Sequence, residues 1–161
     1  GNSMAKKKNR IYADTSVFGG VFDDEFSEFS SRFFDEVRKG KHIVLISEVT
    51  VRELIRAPSL VHQFIKALPV GSVENVSITK EIIDLTNTYI AANVLDENSI
   101  DDAAHVAAAT VARADAIISW NFKHLVKWDK IRAFNAVNLL SGYPVITILT
   151  PQQVISDEKE I

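Results

Sequence analysis
HIVLISEVTVREL, His42 to Leu54, joins two patterns without a gap. HIVLI is a five-residue apolar run rich in Val and Ile, the composition of a buried strand. Ser47 then opens SEVTVREL, a helix start that places Glu53 about two turns in. Helical spacing holds to Ala57, and Pro58 ends it, because proline pushes the residue before it out of the helical region.

The same alternation extends in both directions. IYA (Ile11 to Ala13), SVENVSI (Ser72 to Ile78), DAIIS (Asp115 to Ser119) and VITIL (Val145 to Leu149) are further short strands. Between them, Phe26, Phe29, Phe33, Phe34 and Val37 form a helical stripe that stops before Gly40. Helices are also expected over Ser59–Leu68, Lys80–Ala92, Ile100–Arg113 and Lys130–Leu140, with Ser99 and Asp102 resembling a capping pair. TPQQVI starts a short last helix, with Thr150 at the N-cap, Pro151 at the first position and Gln153 at the third. Strands alternating with helices predict an α/β fold, a three-layer sandwich around a parallel sheet of about five strands.

The 161 residues suit one domain, expected over 10–155. Gly1-Asn2-Ser3 ahead of Met4 reads as a remnant of tag removal, so residues 1–9 are a remnant plus a basic start, and 156–161 a tail. A hydrophobic fraction of 47%, with 6 Gly and 4 Pro, supports a sizeable core and excludes a disordered chain. The absence of cysteine excludes disulfides, thiolate metal sites and cysteine nucleophiles together. No apolar stretch approaches the roughly 18 to 20 residues of a membrane span, and no signal-peptide core follows the basic start, so a soluble, cytoplasmic protein with no membrane partner is expected. The net charge of −3 excludes a global basic field of the general nucleic-acid-binding kind. It does not exclude a nuclease, since clustered carboxylates can hold a cation that faces phosphate. KKKNR, Lys6 to Arg10, is a solvated N-terminus or electrostatic help for RNA.

Ligands of open parallel sheets sit beyond the carboxyl ends of the strands, where strand order reverses. Asp14 follows the first strand, Ser119 and Asn121 follow the fourth, Glu53 lies in the helix after the second, and Asp101 and Asp102 open the Ile100 helix. Singly, each has an ordinary reading: a loop or capping aspartate, a solvated helix face, acids favoured by a helix dipole, a turn amide. Jointly, Asp14, Glu53, Asp102 and Asn121 would bring three carboxylates and an amide to one crevice. Without a cation they would repel, and hard oxygen donors of this kind suit Mg²⁺ or Mn²⁺.

DTS after the first strand, S-x-x-x-x-x-E-L in the next helix, D-A-x-H-x-A-x-A in a late helix and S-W-N-F-K-H after the fourth strand, in that order, resemble the PIN domain, and most closely its VapC-like toxin branch. The likeness spans Arg10 to Ile155. It implies an endoribonuclease dependent on Mg²⁺ or Mn²⁺ that hydrolyses RNA phosphodiester bonds. It also implies the toxin role in a toxin–antitoxin pair, an antitoxin partner and a homodimer through the first, third or fourth helix. By resemblance Asp14, Glu53 and Asp102 take the family's three acidic positions and hold the metal, and Asn121 takes a fourth where many members carry Asp. Register selects Asp102 over Asp101, because Asp102 stands three residues before His105 and five before Ala107. Ala103, Ala104, Ala107, Ala108 and Ala109 would let this helix approach the sheet closely.

Metal on these carboxylates would lower the pKa of a water and bridge phosphate oxygens, so no protein nucleophile is needed. Thr15, Ser16, His105 and Lys123 are the candidate substrate contacts, weighed against turn geometry, a satisfied buried histidine and a solvated lysine. His105 could instead orient Asp102, its i,i+3 neighbour. His124 beside phosphate competes with packing or exposure, and Trp120 and Phe122 are expected to anchor their loop in the core. The alternative is a catalytically weak PIN domain that binds RNA or a protein partner. Receiver domains want an acidic pair directly after the first strand, where Asp14 stands alone. Aspartyl phosphatases want a second Asp two residues later, where Ser16 stands.

Overall fold
The computed structural model describes residues 8–156, so Lys6 and Lys7 of the basic run and all of the expected tail beyond Ser156 lie outside the described residues. Five parallel strands form one sheet: β1 (Asn9–Ala13), β2 (His42–Ser47), β3 (Val73–Val76), β4 (Ala116–Ile118) and β5 (Ile148–Leu149), in the order β3-β2-β1-β4-β5. The helices are α1 (Thr15–Gly20), α2 (Ser27–Arg38), α3 (Glu48–Glu53), α4 (Ser59–Lys66), α5 (Lys80–Ala91), α6 (Ile100–Val111), α7 (Trp128–Leu140) and α8 (Pro151–Val154). The predicted α/β sandwich is therefore the observed one.

Register explains both layers. Tyr12 pairs with Leu45 and with Ile117, and all three are buried in one core with residues of α5, α6 and α7. Their neighbours Ile11, Ala13, Val44, Ile46 and Ile118 point to the opposite face, where they pack with Val17, Phe18, Phe33, Phe34 and Val61. Alternate residues serve different cores, so the central strands β1, β2 and β4 read as unbroken apolar runs. On α6, Ala103, Ala107, Ala108 and Ala109 are fully buried, and their small side chains bring the helix backbone close to the sheet. No described helix is long and apolar enough to cross a membrane.

Several boundaries differ from expectation. Thr15–Gly20 is helical although it is not among the expected helices and TSVFGG has poor intrinsic propensity. Tertiary burial of Val17 and Phe18 and the Asp14 cap override it. The helix after β2 leaves α geometry at Glu53 and finishes as a 3₁₀ turn over Leu54–Arg56, and Ala57 before Pro58 is extended as anticipated. Ser99 makes no side-chain cap. A 3₁₀ turn over Glu97–Ser99 leads into α6 instead, with Asp96 accepting from the Asn98 N–H at 2.9 Å. Val145, expected in the last strand, is exposed outside it.

The far end of the sheet carries a buried pair. Glu36 Oε1 bonds His42 Nε2 at 2.8 Å, and Glu36 Oε2 accepts the Ser156 N–H at 2.8 Å. Burial alone would raise the Glu36 carboxyl, but the Ser156 and His42 bonds prevail and hold it below its usual value. A depressed carboxylate contributes stability above its unfolded pKa and loses it as pH falls through the folded one. The link behind α8 should thus open on acidification below the usual carboxylate range. Glu36→Gln should also weaken it at neutral pH by about 1–3 kcal/mol, seen as faster exchange of the Ser156 amide. Unchanged exchange in that variant would remove Glu36 as the latch.

Candidate active site at the carboxyl ends of the strands
The chain steps from β1 to β2 to β3 on one side and places β4 on the other, so strand order reverses between β1 and β4. Asp14 lies at that point. Its backbone N–H bonds Ile118 O at 3.2 Å, continuing the β1–β4 ladder, and its side chain caps α1. Oδ1 accepts from Ser16 N at 3.1 Å and Ser16 Oγ at 2.6 Å, and Oδ2 accepts from Ser119 Oγ at 2.7 Å. Only 4% of Asp14 is exposed. Burial pushes its carboxyl up. The nearby His105 and the serine donors pull it back in part, and the Asp102 charge raises it further. Asp14 and Asp102 therefore feel each other's charge.

SWNFKH, Ser119 to His124, builds the facing wall. Ser119 Oγ also accepts the Asn121 N–H at 2.8 Å, and the Trp120 N–H donates to Ser16 Oγ at 2.9 Å. Trp120 is buried as expected, stacked on Phe26 at 4.5 Å with its indole N–H on Ser30 Oγ at 2.8 Å. A Cβ at Gly20 would lie 2.6 Å from that Ser30 oxygen and 2.8 Å from the indole nitrogen, so the close approach of α1 requires glycine here. Phe122 corrects the expectation of a second anchor, since it is 51% exposed.

Asn121 does two jobs. Its Oδ1 accepts the Lys123 and His124 N–H groups at 3.1 and 2.9 Å, fixing the turn, and its Nδ2 donates to Asp102 Oδ2 at 3.2 Å. His124 Nδ1 reaches the same Asp102 oxygen at 2.8 Å. This role for His124 is not among the expected ones, although Asn121 and His124 stand three residues apart in one tight turn, where both can meet one group. Asp101 turns away to Arg52, 2.6 Å distant.

Glu53 is held from the protein side. Its Oε1 accepts from Thr15 Oγ1 at 2.6 Å and bonds His105 Nε2 at 2.5 Å, and Oε2 has no hydrogen bond among the described residues. Burial would raise this carboxyl, but the His105 and Thr15 donors outweigh it and hold it below its ordinary value. His105 is 1% exposed and continues through Nδ1 to the Tyr12 hydroxyl at 2.6 Å, which meets Ser47 Oγ at 2.7 Å. These contacts correct three expectations. His105 is too deeply buried to touch substrate, and it orients Glu53, not Asp102. The Ser16 and Thr15 hydroxyl protons are used on Asp14 and Glu53, so neither is free to donate to phosphate. Lys123 remains exposed.

Among the described residues no three His, Asp or Glu side chains converge closely enough to hold an ion together. Mg²⁺ does not need three, because it is commonly held by one or two carboxylates plus waters and phosphate oxygens. Asp14 and Asp102, mutually repelling and supplied with hard oxygens, fit that pattern. Glu53, engaged through one oxygen, fits contact through its other oxygen or through a water. A separate cavity of about 440 Å³ between α3, α5 and α6 takes Arg52, Ile83, Ile100 and Asp101 and none of the four candidate residues.

No protein-family model matches the chain, and no curated protein matches it. The chain forms a five-stranded all-parallel α/β sheet, consistent with the PIN fold but shared with others, and carries three acidic side chains and Asn121 around its strand-order reversal.

Proposed function
We propose that this protein is an endoribonuclease of the PIN type, dependent on Mg²⁺ or Mn²⁺ and hydrolysing RNA phosphodiester bonds as the toxin of a toxin–antitoxin pair. The observation that supports it most is Asp14. A carboxylate is buried where strand order reverses and is raised further by the Asp102 charge, an arrangement that costs stability unless a cation joins it. A bound divalent ion would polarise the phosphate and lower the pKa of a water.

The chain's own residues do the remainder. Ser16 and Ser119 fix both oxygens of Asp14, and Asn121 and His124 fix one oxygen of Asp102. Glu53, with Oε1 occupied, offers Oε2 to the proton of the attacking water. Cleavage of a fluorescent RNA that requires Mg²⁺ or Mn²⁺ and stops in EDTA supports this function. No cleavage by protein that binds the ion and the RNA favours a weak, RNA-binding PIN module, for which the uncharged Asn121 speaks.

Buried Tyr12 and His105 make a second expectation specific. Burial pushes the Tyr12 hydroxyl above its ordinary range, so it stays a donor. With one proton on the imidazole, one assignment satisfies every atom. Val49 N–H donates to Ser47 Oγ, Ser47 to Tyr12, Tyr12 to Nδ1, and Nε2–H to Glu53. Tyr12→Phe should lower kcat about 10- to 100-fold, the scale for groups that orient a reacting carboxylate, with KM for RNA little changed. Imidazole nitrogen shifts of the metal-free protein should report the Nε2-protonated tautomer. The Nδ1-protonated tautomer would contradict this relay.

A further inference from the structure
The turn that carries Asn121 continues as FKHLVKWDKIR, residues 122–132, with Lys123, Lys127, Lys130 and Arg132 against the lone Asp129. In a chain of net charge −3 this is a local reversal of sign. Phe122 is 51% and Trp128 75% exposed, interleaved with those cations. Two of the four cations are engaged: Lys130 Nζ donates to Val94 O at 2.8 Å, and Lys127 Nζ lies 3.9 Å from Asp129. Lys123 stays exposed beside Phe122, and the Arg132 guanidinium sits 5.6 Å from the Trp128 ring. A hollow of about 320 Å³ opens alongside, lined by Trp128, Asp129, Arg132, Ala133 and Ala136. Buried Leu125 and the two backbone bonds to Asn121 Oδ1 pin the turn between the rings to the candidate site.

We propose that this surface is the single-stranded RNA track of the protein, with one unpaired base stacked on Trp128 beside Arg132, a second on Phe122, and Lys123 on the intervening backbone. This rests on the function proposed above and adds the surface of this chain over which the substrate reaches the site. Rings interleaved with cations bind single strands, because every base offers a stacking face and every link a phosphate, whereas a duplex keeps its bases inside. A protein partner is a poorer fit, since lysine is depleted at the centres of protein interfaces. Charge also sets the path. Asp23, Asp24 and Glu25 lie exposed next to Phe26, so the strand runs from Phe122 toward Trp128 and not over the Phe26 side.

The test uses the full chain in EDTA, so binding is read without cleavage, with a ten-nucleotide unstructured RNA and its annealed duplex as probes. Trp120 is buried and Trp128 exposed, so quenching of tryptophan fluorescence by the single strand reports Trp128. The single strand should quench and the duplex should not. Trp128→Ala should weaken binding about five- to 150-fold, the range for one stacked base, and Trp128→Phe should restore most of it. Lys123→Gln should flatten the dependence of log K on log salt by about 0.7, one phosphate contact on a single strand. Equal binding by Trp128→Ala, equal quenching by the duplex, or a dimer that Trp128→Ala dissociates with RNA affinity unchanged would each overturn the proposal. With Mg²⁺ added, RNA bound through Trp128 but never cut would sink the nuclease function and leave the track standing. Cleavage with KM unmoved by Trp128→Ala would do the reverse.

Discussion
Asp14→Asn should yield a protein that no longer cuts RNA in Mg²⁺ or Mn²⁺ and that, in metal-free buffer, melts at a higher temperature than the parent. The two effects share a cause. Burial raises the Asp14 carboxyl above its unfolded value, with Asp102 adding to it. Between the two pKa values the folded state binds more protons than the unfolded, so stability falls as pH rises through that window. Above that window the buried Asp14 carboxylate is a net cost. An amide removes that cost and can still accept from Ser16 through its oxygen, while Ser119, already accepting from Asn121, can accept again from the new NH₂. Each kcal/mol recovered should raise the melting midpoint by about 2–4 °C in a chain of this length. Cleavage should fall at least about 10²-fold, the scale for losing one preorganised group aimed at a reacting centre.

Differential scanning with and without Mg²⁺ separates the cases, because a ligand bound only by the folded state raises the midpoint. The ion should raise the parent and leave Asp14→Asn unmoved. Asp102→Asn is the contrast. Asp102 is bonded to His124 and Asn121 and its side chain is 23% exposed, so its loss should end cleavage without a stability gain. An Asp14→Asn protein that melts lower in metal-free buffer and still cuts once Mg²⁺ is added would refute both the cost of Asp14 and its place in the site.

The central strands β1, β2 and β4 are legible because each is buried on both faces, which leaves HIVLI and DAIIS as unbroken apolar runs closed by polar residues. Which helix residues meet was less legible. Asp102 and His105 are neighbours at i,i+3, yet His105 bonds Glu53 and Tyr12, partners 52 and 93 positions away. No local spacing encodes those pairings, because they follow from α6 packing close to β1 and α3. Helix α1 was missed for a related reason: propensity argues against TSVFGG, and only the cap at Asp14 and the burial of Val17 and Phe18 make it helical. The turn at Asn121 was readable in part. An asparagine after a strand signals a local cap, and that signal is correct, but its second bond to Asp102 appears only once β4 and α6 are placed together.

That second bond decides the outcome of restoring a charge at the fourth position. Asn121→Asp keeps an acceptor for the Lys123 and His124 N–H groups, so the turn should survive. It also replaces a donor 3.2 Å from Asp102 Oδ2 with a second carboxylate oxygen. Two like charges at such a distance repel by about 1 to 5 kcal/mol between the limits of water and a protein surface. The partial exposure of Asp102 favours the lower end. The metal-free variant should therefore melt below the parent. A cation reverses the sign, since the same two carboxylates become ligands or near neighbours of one positive charge. Mn²⁺ affinity, measured by titration calorimetry, should tighten at least about tenfold, equivalent to about 1.4 kcal/mol. The melting midpoint should then rise more on Mn²⁺ addition than it does for the parent. If the metal-free protein is weakened and Mn²⁺ binding is unchanged, Asn121 only props Asp102 from outside the ion's reach. The acidic crevice would then end at Asp14, Glu53 and Asp102, and the amide would serve the turn and the orientation of its neighbour alone.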